Sequence, residues 1–302
     1  MLLSVVVPTR DRPDMLARCV ASVTASLRPG DELIVVDSAS RQPCSVEGAR
    51  VVRADEPGAS LARNRGWRAA AHDVVAFVDD DVWVDEGWAA AVVDAFADPD
   101  VAFVTGRVEM PPGVEHVRPV ALLQKPDPRR LDLDTRTGDL GHSANLAVRR
   151  SVLAELGGFD ELLGAGGRFR AAEDLDLMDR ILLSGRVGRY EPRALAWHDQ
   201  WRTKAELVRL DWAYGTGMGV RITKLARVDR RRARRETAEA LWSFGLRSVP
   251  YDAIRLYRFL TLTALARVAG TVAGMAKGAR LTVAGGHLEA RSGRRRRGRV
   301  TR

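Results

Sequence analysis

Short valine-rich apolar runs recur through the first hundred residues, and each stops at a polar cluster. Leu2 to Val7 halts at Pro8, Leu33-Ile34-Val35-Val36 at Asp37, and Val74 to Val78 at Asp79-Asp80-Asp81. Val51-Val52 and Val101 to Thr105 are further runs of the same kind. An unbroken apolar strand is one buried on both faces, as in a parallel sheet covered by helices. Helical spacing fills the gaps: Asp14 to Leu27 before Pro29-Gly30, Ser60 to Ala71, and Gly87 to Phe96. This alternation predicts an α/β chain with an open, mostly parallel sheet flanked by helices. Ligands of such sheets bind beyond the carboxyl ends of the strands. Thr9-Arg10-Asp11, Asp37-Ser38 and Asp79-Asp80-Asp81 should therefore converge on one rim.

The remainder is less regular. Pro111 to Gly141 is rich in Pro, Asp and Arg and reads as a long loop or lid over the site. Ser151 to Leu156 and Glu173 to Ser184 read as helices, and the chain looks helical from Lys204 onward. There are no internal repeats.

Charge divides the chain unevenly. Of 302 residues, those from Arg221 to Arg302 hold 21 Lys+Arg against 5 Asp+Glu, while the first 220 hold 27 against 34. A mildly acidic body followed by a basic end suggests that the end meets a polyanion such as anionic lipid. Nucleic acid is the weaker choice, because no aromatics interleave with the Arg run near the terminus. Two cysteines, Cys19 and Cys44, are too few for a disulfide framework and read as apolar thiols. Met1-Leu2-Leu3 leads straight into a strand with no basic segment or cleavage site, so a cytoplasmic location is expected.

Three adjacent carboxylates repel one another and need compensation. Mg²⁺ or Mn²⁺ supplies it, since both take oxygen ligands and bridge carboxylates to phosphates. A solvated loop of helix-capping aspartates is the plainer alternative. The position at a strand end on the ligand rim favours the metal.

The order of these segments is similar to that of a known family. Ser4-Val5-Val6-Val7-Pro8-Thr9-Arg10-Asp11 and Val35-Val36-Asp37-Ser38-Ala39-Ser40 resemble segments of the family 2 glycosyltransferases of the GT-A fold. Gly58-Ala59-Ser60-Leu61-Ala62-Arg63-Asn64-Arg65-Gly66 and the DXD-like Phe77 to Asp81 follow in the family's order. Gly157-Gly158-Phe159-Asp160-Glu161 and Glu173-Asp174-Leu175-Asp176-Leu177 complete the series, and the resemblance runs from about Leu2 to Trp201.

The resemblance implies an inverting transfer of sugar from a nucleotide-diphosphate sugar, by preference a UDP-sugar. It implies that Asp37 accepts from the base and that Pro8, Thr9 and Arg10 line the nucleoside pocket. Arg63 would meet the nucleotide or its diphosphate. Asp79 and Asp80 would serve the nucleotide-sugar and Asp81 the metal, although sequence does not say which aspartate binds the ion. His198 stands where many relatives place a metal-binding histidine, and Asn145 where the family builds its donor-sugar and acceptor surface. Asp174 is the implied general base, with Glu173 orienting it or capping its helix. His142 reads as structural. Trp201 and Tyr214 could stack on a sugar or lipid carrier, or simply pack.

The expected organisation is a catalytic domain over 1–220, with its nucleotide part over 1–110 and its acceptor part over 111–220. A helical extension over 221–290 and a disordered Arg-rich tail over 291–302 follow. Within the extension, Tyr251 to Ala276 is apolar but carries Arg255, Arg258 and Arg267, which disfavours a span and suits an interfacial helix or one packed on the catalytic domain. Peripheral binding at the inner face of the membrane, and a glycan, lipid-linked or small-molecule acceptor, fit that arrangement. The competing class is a non-catalytic nucleotide-sugar binder or scaffold on the same fold. Nucleotidyl transfer also uses Asp-held metals, but Pro8 to Pro13 is no glycine-rich phosphate loop.

Overall fold

A computed structural model describes residues 1–113, 120–243 and 257–289. The first half is β1 (Leu3–Thr9), α1 (Pro13–Ser26), β2 (Glu32–Ser38), β3 (Arg50–Ala54), α2 (Ala59–Ala69), β4 (Val74–Val78), β5 (Val82–Val84), α3 (Trp88–Ala95) and β6 (Val101–Glu109). Then come β7 (Arg129–Leu131), a 3₁₀ turn (Thr137–Asp139), β8 (Asn145–Arg149), α4 (Arg150–Leu156), α5 (Glu173–Leu183) and β9 (Val187–His198). The chain continues as α6 (Lys204–Leu225), α7 (Arg230–Ala240), α8 (Arg258–Gly278) and the hairpin β10 (Thr282–Ala284) and β11 (His287–Glu289).

One sheet runs in the order β3-β2-β1-β4-β8-β6-β9-β5, with β7 on β9. The strands β3, β2, β1 and β4 are mutually parallel, as the apolar runs predict. Beyond them β8 is antiparallel to both β4 and β6, and β9 is parallel to β6. Alternate residues of each central strand feed two cores. Val5, Val7, Leu33, Val35, Val74, Ala76 and Val78 face α1 and α3. Val6, Ile34, Val36, Val75 and Phe77 face α2 and α5. Gly66 lets α2 lie close on the sheet: a Cβ there would overlap Val6 and press on Val36.

Sequence reading does not anticipate β8, β5 or the twelve-residue β9. Strand β9 contains Pro192 and three arginine or glutamate side chains, and its register with β6 jumps between Gly106–Glu191 and Arg107–Leu195. A proline is tolerated at such an irregularity, where a ladder bond is already lost. The 111–141 segment is irregular as expected, apart from β7 and the 3₁₀ turn, although residues 114–119 lie outside those described.

The C-terminal part is built into the fold. A boundary at residue 220 would cut through α6. Helices α6 and α8 run parallel, because Gly215 meets Arg267 and Thr271 while Gly219 meets Thr271 and Met275. Gly270 and Gly274 face Trp212 and Thr216 in return. A Cβ at Gly215, Gly219, Gly270 or Gly274 would collide with backbone of the other helix, so these positions set the interhelical distance. Gly274→Ala is expected to destabilise by roughly 1–3 kcal/mol, read as a lowered urea midpoint.

Part of the basic excess is internal. Arg221 pairs with Asp179 at 2.6 Å and Glu236 at 2.8 Å. Lys224 pairs with Asp176 at 2.6 Å and Asp160 at 2.9 Å. Arg232 adds Asp179 at 2.9 Å. All these side chains are buried. Residues 251–256 of the supposed interfacial stretch and the whole 291–302 tail fall outside the described residues.

Candidate active site

A cleft of about 640 Å³ opens at the carboxyl ends of β1, β2 and β4 and is closed on its far side by α5, α6 and α8. Pro8, Thr9 and Arg10 line it directly after β1, as does Ser38 after β2. The aspartate triplet sits after β4, and Glu173 and Asp174 enter from the first turn of α5.

Each carboxylate has its own environment. Asp79 receives Arg63 Nη2 at 2.6 Å. Asp80 is buried, accepts from Thr9 Oγ1 at 2.8 Å and from Arg12 Nη1 at 2.9 Å. Burial dominates there and pushes its pKa up to about 6, despite the Arg12 charge. Asp81 Oδ1 lies 3.4 Å from His198 Nε2, and its Oδ2 accepts from Trp201 Nε1 at 2.9 Å. Burial would raise the Asp81 pKa, but the His198 contact, Trp201 and the Arg202 charge together hold it well below the usual range.

His198 Nδ1 stands 3.1 Å from the Val120 carbonyl, which can only accept, so that nitrogen carries the proton and Nε2 is turned to Asp81. Burial would lower the His198 pKa, but the Asp81 carboxylate facing Nε2 raises it overall; release of the Nε2 proton would free that nitrogen for an ion while Nδ1–H holds the ring in place. No cluster of three or more His, Cys, Asp or Glu side chains forms a ready cage among the described residues. The set fits an ion of the Mg²⁺ or Mn²⁺ kind, which takes few protein ligands and completes its shell with phosphate and water.

Asp174 accepts from the Ser143 N–H at 3.0 Å through Oδ2 and from the Leu175 N–H at 2.8 Å through Oδ1. Both donors fix its plane while the group stays half-buried on the cleft wall. Its neighbour Glu173 is buried and bonds Arg63 Nη1 at 2.9 Å. Burial first, then the Asp174 charge, pushes the Glu173 pKa up to about 7, against the opposing pull of Arg63. The native state therefore binds a proton that the unfolded chain releases above its ordinary 4.5. Stability should fall as pH rises from about 5 to 8, and Glu173→Gln should remove that portion of the slope. Chemical denaturation of both forms across this range checks it.

Several of the expected site residues have local partners. Arg63 lines the cleft while buried, and its two terminal nitrogens tie Asp79 and Glu173 together. Asn145 does not reach the cleft: its amide accepts from Trp88 Nε1 at 2.9 Å and donates to the carbonyls of Ala194 at 2.8 Å and Arg107 at 3.0 Å, in the core. Asp37 is buried at the end of β2 and holds the following loop, accepting from the Ser40 and Cys44 amides and from Arg53 at 2.6 Å. It is absent from the cleft wall, where Ser38 stands instead. Trp201 lies between the Arg12 and Arg202 guanidiniums, each 4.5 Å from its ring.

Other residues line the cleft besides those expected to bind donor or metal. His142, read as structural, lines the cleft, and burial lowers its pKa. Arg12, Arg170, Arg202, Tyr214 and Arg267 also line it. Arg267 reaches in from α8, its guanidinium 4.7 Å from the Tyr214 ring and 2.6 Å from Asp211. Of these, Tyr214 was the one that the sequence marked as able to stack on a sugar.

The glycosyl transferase family 2 model matches residues 4–157. The chain belongs to that family. It is 35% identical over 215 residues to the pre-mycofactocin glycosyltransferases of two Mycobacterium tuberculosis strains, a match covering 65% of this chain and 42% of theirs. The chain thus spans less than half the length of these relatives. Its fold is similar to that of the Pyrobaculum calidifontis mannosyltransferase PcManGT, solved with GDP-Man and Mn²⁺, at TM-score 0.62 and 18% identity over 90% of this chain and 86% of that one. It is also similar to S. aureus TarS 1-349 in complex with UDP, at TM-score 0.53 and 15% identity over 96% of both chains. The GT-A fold of this family 2 chain follows from these likenesses.

Proposed function

We propose that this family 2 chain is an inverting glycosyltransferase that moves a sugar from a nucleotide-diphosphate sugar, by preference a UDP-sugar, to an acceptor hydroxyl. The observation that carries the reading is the placement of the Asp174 carboxylate on the same cleft as the aspartate triplet and His198. Asp174 takes the acceptor's proton as that oxygen attacks the anomeric carbon. The bond from that carbon to the diphosphate breaks, and the nucleoside diphosphate leaves with the electron pair. A Mg²⁺ or Mn²⁺ held by Asp81 and His198, with Asp79 nearby, would supply charge neutralisation to the leaving diphosphate. Pro8, Thr9, Arg10 and Ser38 border the nucleoside end, and Glu173 with Arg63 positions Asp174 and Asp79.

A PcManGT complex with GDP-Man and Mn²⁺ and a TarS complex with UDP support the donor class and the metal. A panel of nucleotide sugars tested by thermal shift, with and without Mn²⁺, checks the proposal. The correct donor should raise Tm in the presence of Mn²⁺, because a ligand binding only the native state stabilises it by mass action. Metal-dependent release of nucleoside diphosphate should accompany it. No donor-dependent shift and no turnover across the panel would defeat the reading.

A further inference from the structure

Helix α8 shows opposite characters on its two faces. The inner face is the glycine seam on α6. Outward, Leu262, Leu265 and Val272 are 56%, 47% and 57% exposed, with exposed Ala269 and Ala276 continuing the same line. The steps of three and four residues put all five on one side of the helix. Trp212 of α6, whose carbonyl abuts Gly270, is 43% exposed beside it. Water-facing helix surfaces are ordinarily polar, so a continuous apolar line of this length asks for a covering surface.

Its surroundings say which one. Helix α8 contains no Asp or Glu, and exposed Arg258 and Lys277 bracket the stripe, with exposed Arg280 just beyond. A second copy would bring the same basic surroundings to the contact and repel. An anionic bilayer offers complementary charge and an apolar interior. By length and composition α8 could cross a membrane. Spanning would strip it from α6 and separate Arg267 from Asp211, paired at 2.6 Å, leaving a charge in hydrocarbon. Lying flat keeps both.

We propose that the outer face of α8, with Trp212, is a docking surface for an anionic phospholipid bilayer. The proposal does not depend on which sugar or acceptor is used. The same helix sends Arg267 into the cleft, so docking would hold the cleft beside the membrane.

The full chain is floated with phosphatidylcholine vesicles, with or without phosphatidylglycerol. Recovery should be high with the anionic vesicles and low with the neutral ones. In Leu262→Glu/Leu265→Glu/Val272→Glu, which keeps every basic residue, recovery should fall roughly tenfold or more. An unchanged melting curve would show that the variant folds. As a second measurement, brominated anionic lipid should quench wild-type tryptophan fluorescence, and Trp212→Phe should lose most of that quenching. Equal flotation of the triple variant and wild type, equal recovery on neutral vesicles, or a wild-type dimer that the triple variant breaks into monomers would each overturn the proposal.

Discussion

Asp174→Asn should lower kcat by roughly 10²- to 10⁴-fold while leaving donor-induced thermal stabilisation intact. The substitution is nearly isosteric. An asparagine oxygen can still accept from the Ser143 N–H that holds Asp174 Oδ2 at 3.0 Å, at the loss of the Leu175 N–H bond to Oδ1, a small change at the first turn of α5. What disappears, on the proposed mechanism, is the ability to take a proton from an acceptor hydroxyl as its oxygen attacks. The part of the cleft proposed for the donor, lined by Pro8, Thr9, Arg10 and the aspartate triplet, is untouched. His198→Ala should give the reverse pattern: a weaker Mn²⁺-dependent shift, because Asp81 loses the neighbour 3.4 Å away that, on the proposed reading, would share the ion. Full transfer activity in Asp174→Asn would move the base elsewhere, with His142 on the same cleft wall the next group to test.

How much of this was legible follows from what kind of contact each residue makes. The parallel half of the sheet could be read because its strands are buried on both faces, which leaves uninterrupted apolar runs such as Val74 to Val78. Strand β9 could not, since its alternate residues and Pro192 give no such run. The rim was legible as polar clusters after strands, and Thr9, Asp79 and Asp81 do meet there. Which side chains face the cleft was another matter. Asn145 and Asp37 stand at strand ends like the others, yet each is consumed by local partners that only the folded chain brings near. Arg267 reaches the cleft from 93 residues beyond Asp174 through a glycine seam whose meaning depends on the facing helix. Part of the charge is spent where only the fold shows it. Arg221, Lys224 and Arg232 count toward a basic end, but their acidic partners Asp160, Asp176 and Asp179 lie earlier in the chain, on and before α5.

That internal pairing predicts the largest stability loss in the molecule. Arg221→Met should destabilise by about 3–5 kcal/mol at neutral pH, because breaking a buried ion pair leaves uncompensated charge behind. Arg221 is almost fully enclosed and bridges Asp179 on α5 to Glu236 on α7. Arg232 stays against Asp179 at 2.9 Å but cannot neutralise both carboxylates alone. Methionine fills most of the volume and isolates the electrostatic effect from a cavity. The sign of the pH dependence distinguishes this account from simple misfit. Without Arg221, burial lifts the native pKa values of Asp179 and Glu236 above those of the unfolded chain. The mutant then binds extra protons when folded, and its deficit should shrink as pH falls toward the unfolded carboxylate range. Urea titrations of wild type and mutant at neutral and mildly acidic pH measure it. A deficit that is the same at both pH values would mean that packing, not buried charge, sets the cost. Because Asp179 shares α5 with Asp174, the variant should also lose activity at temperatures where wild type is still folded.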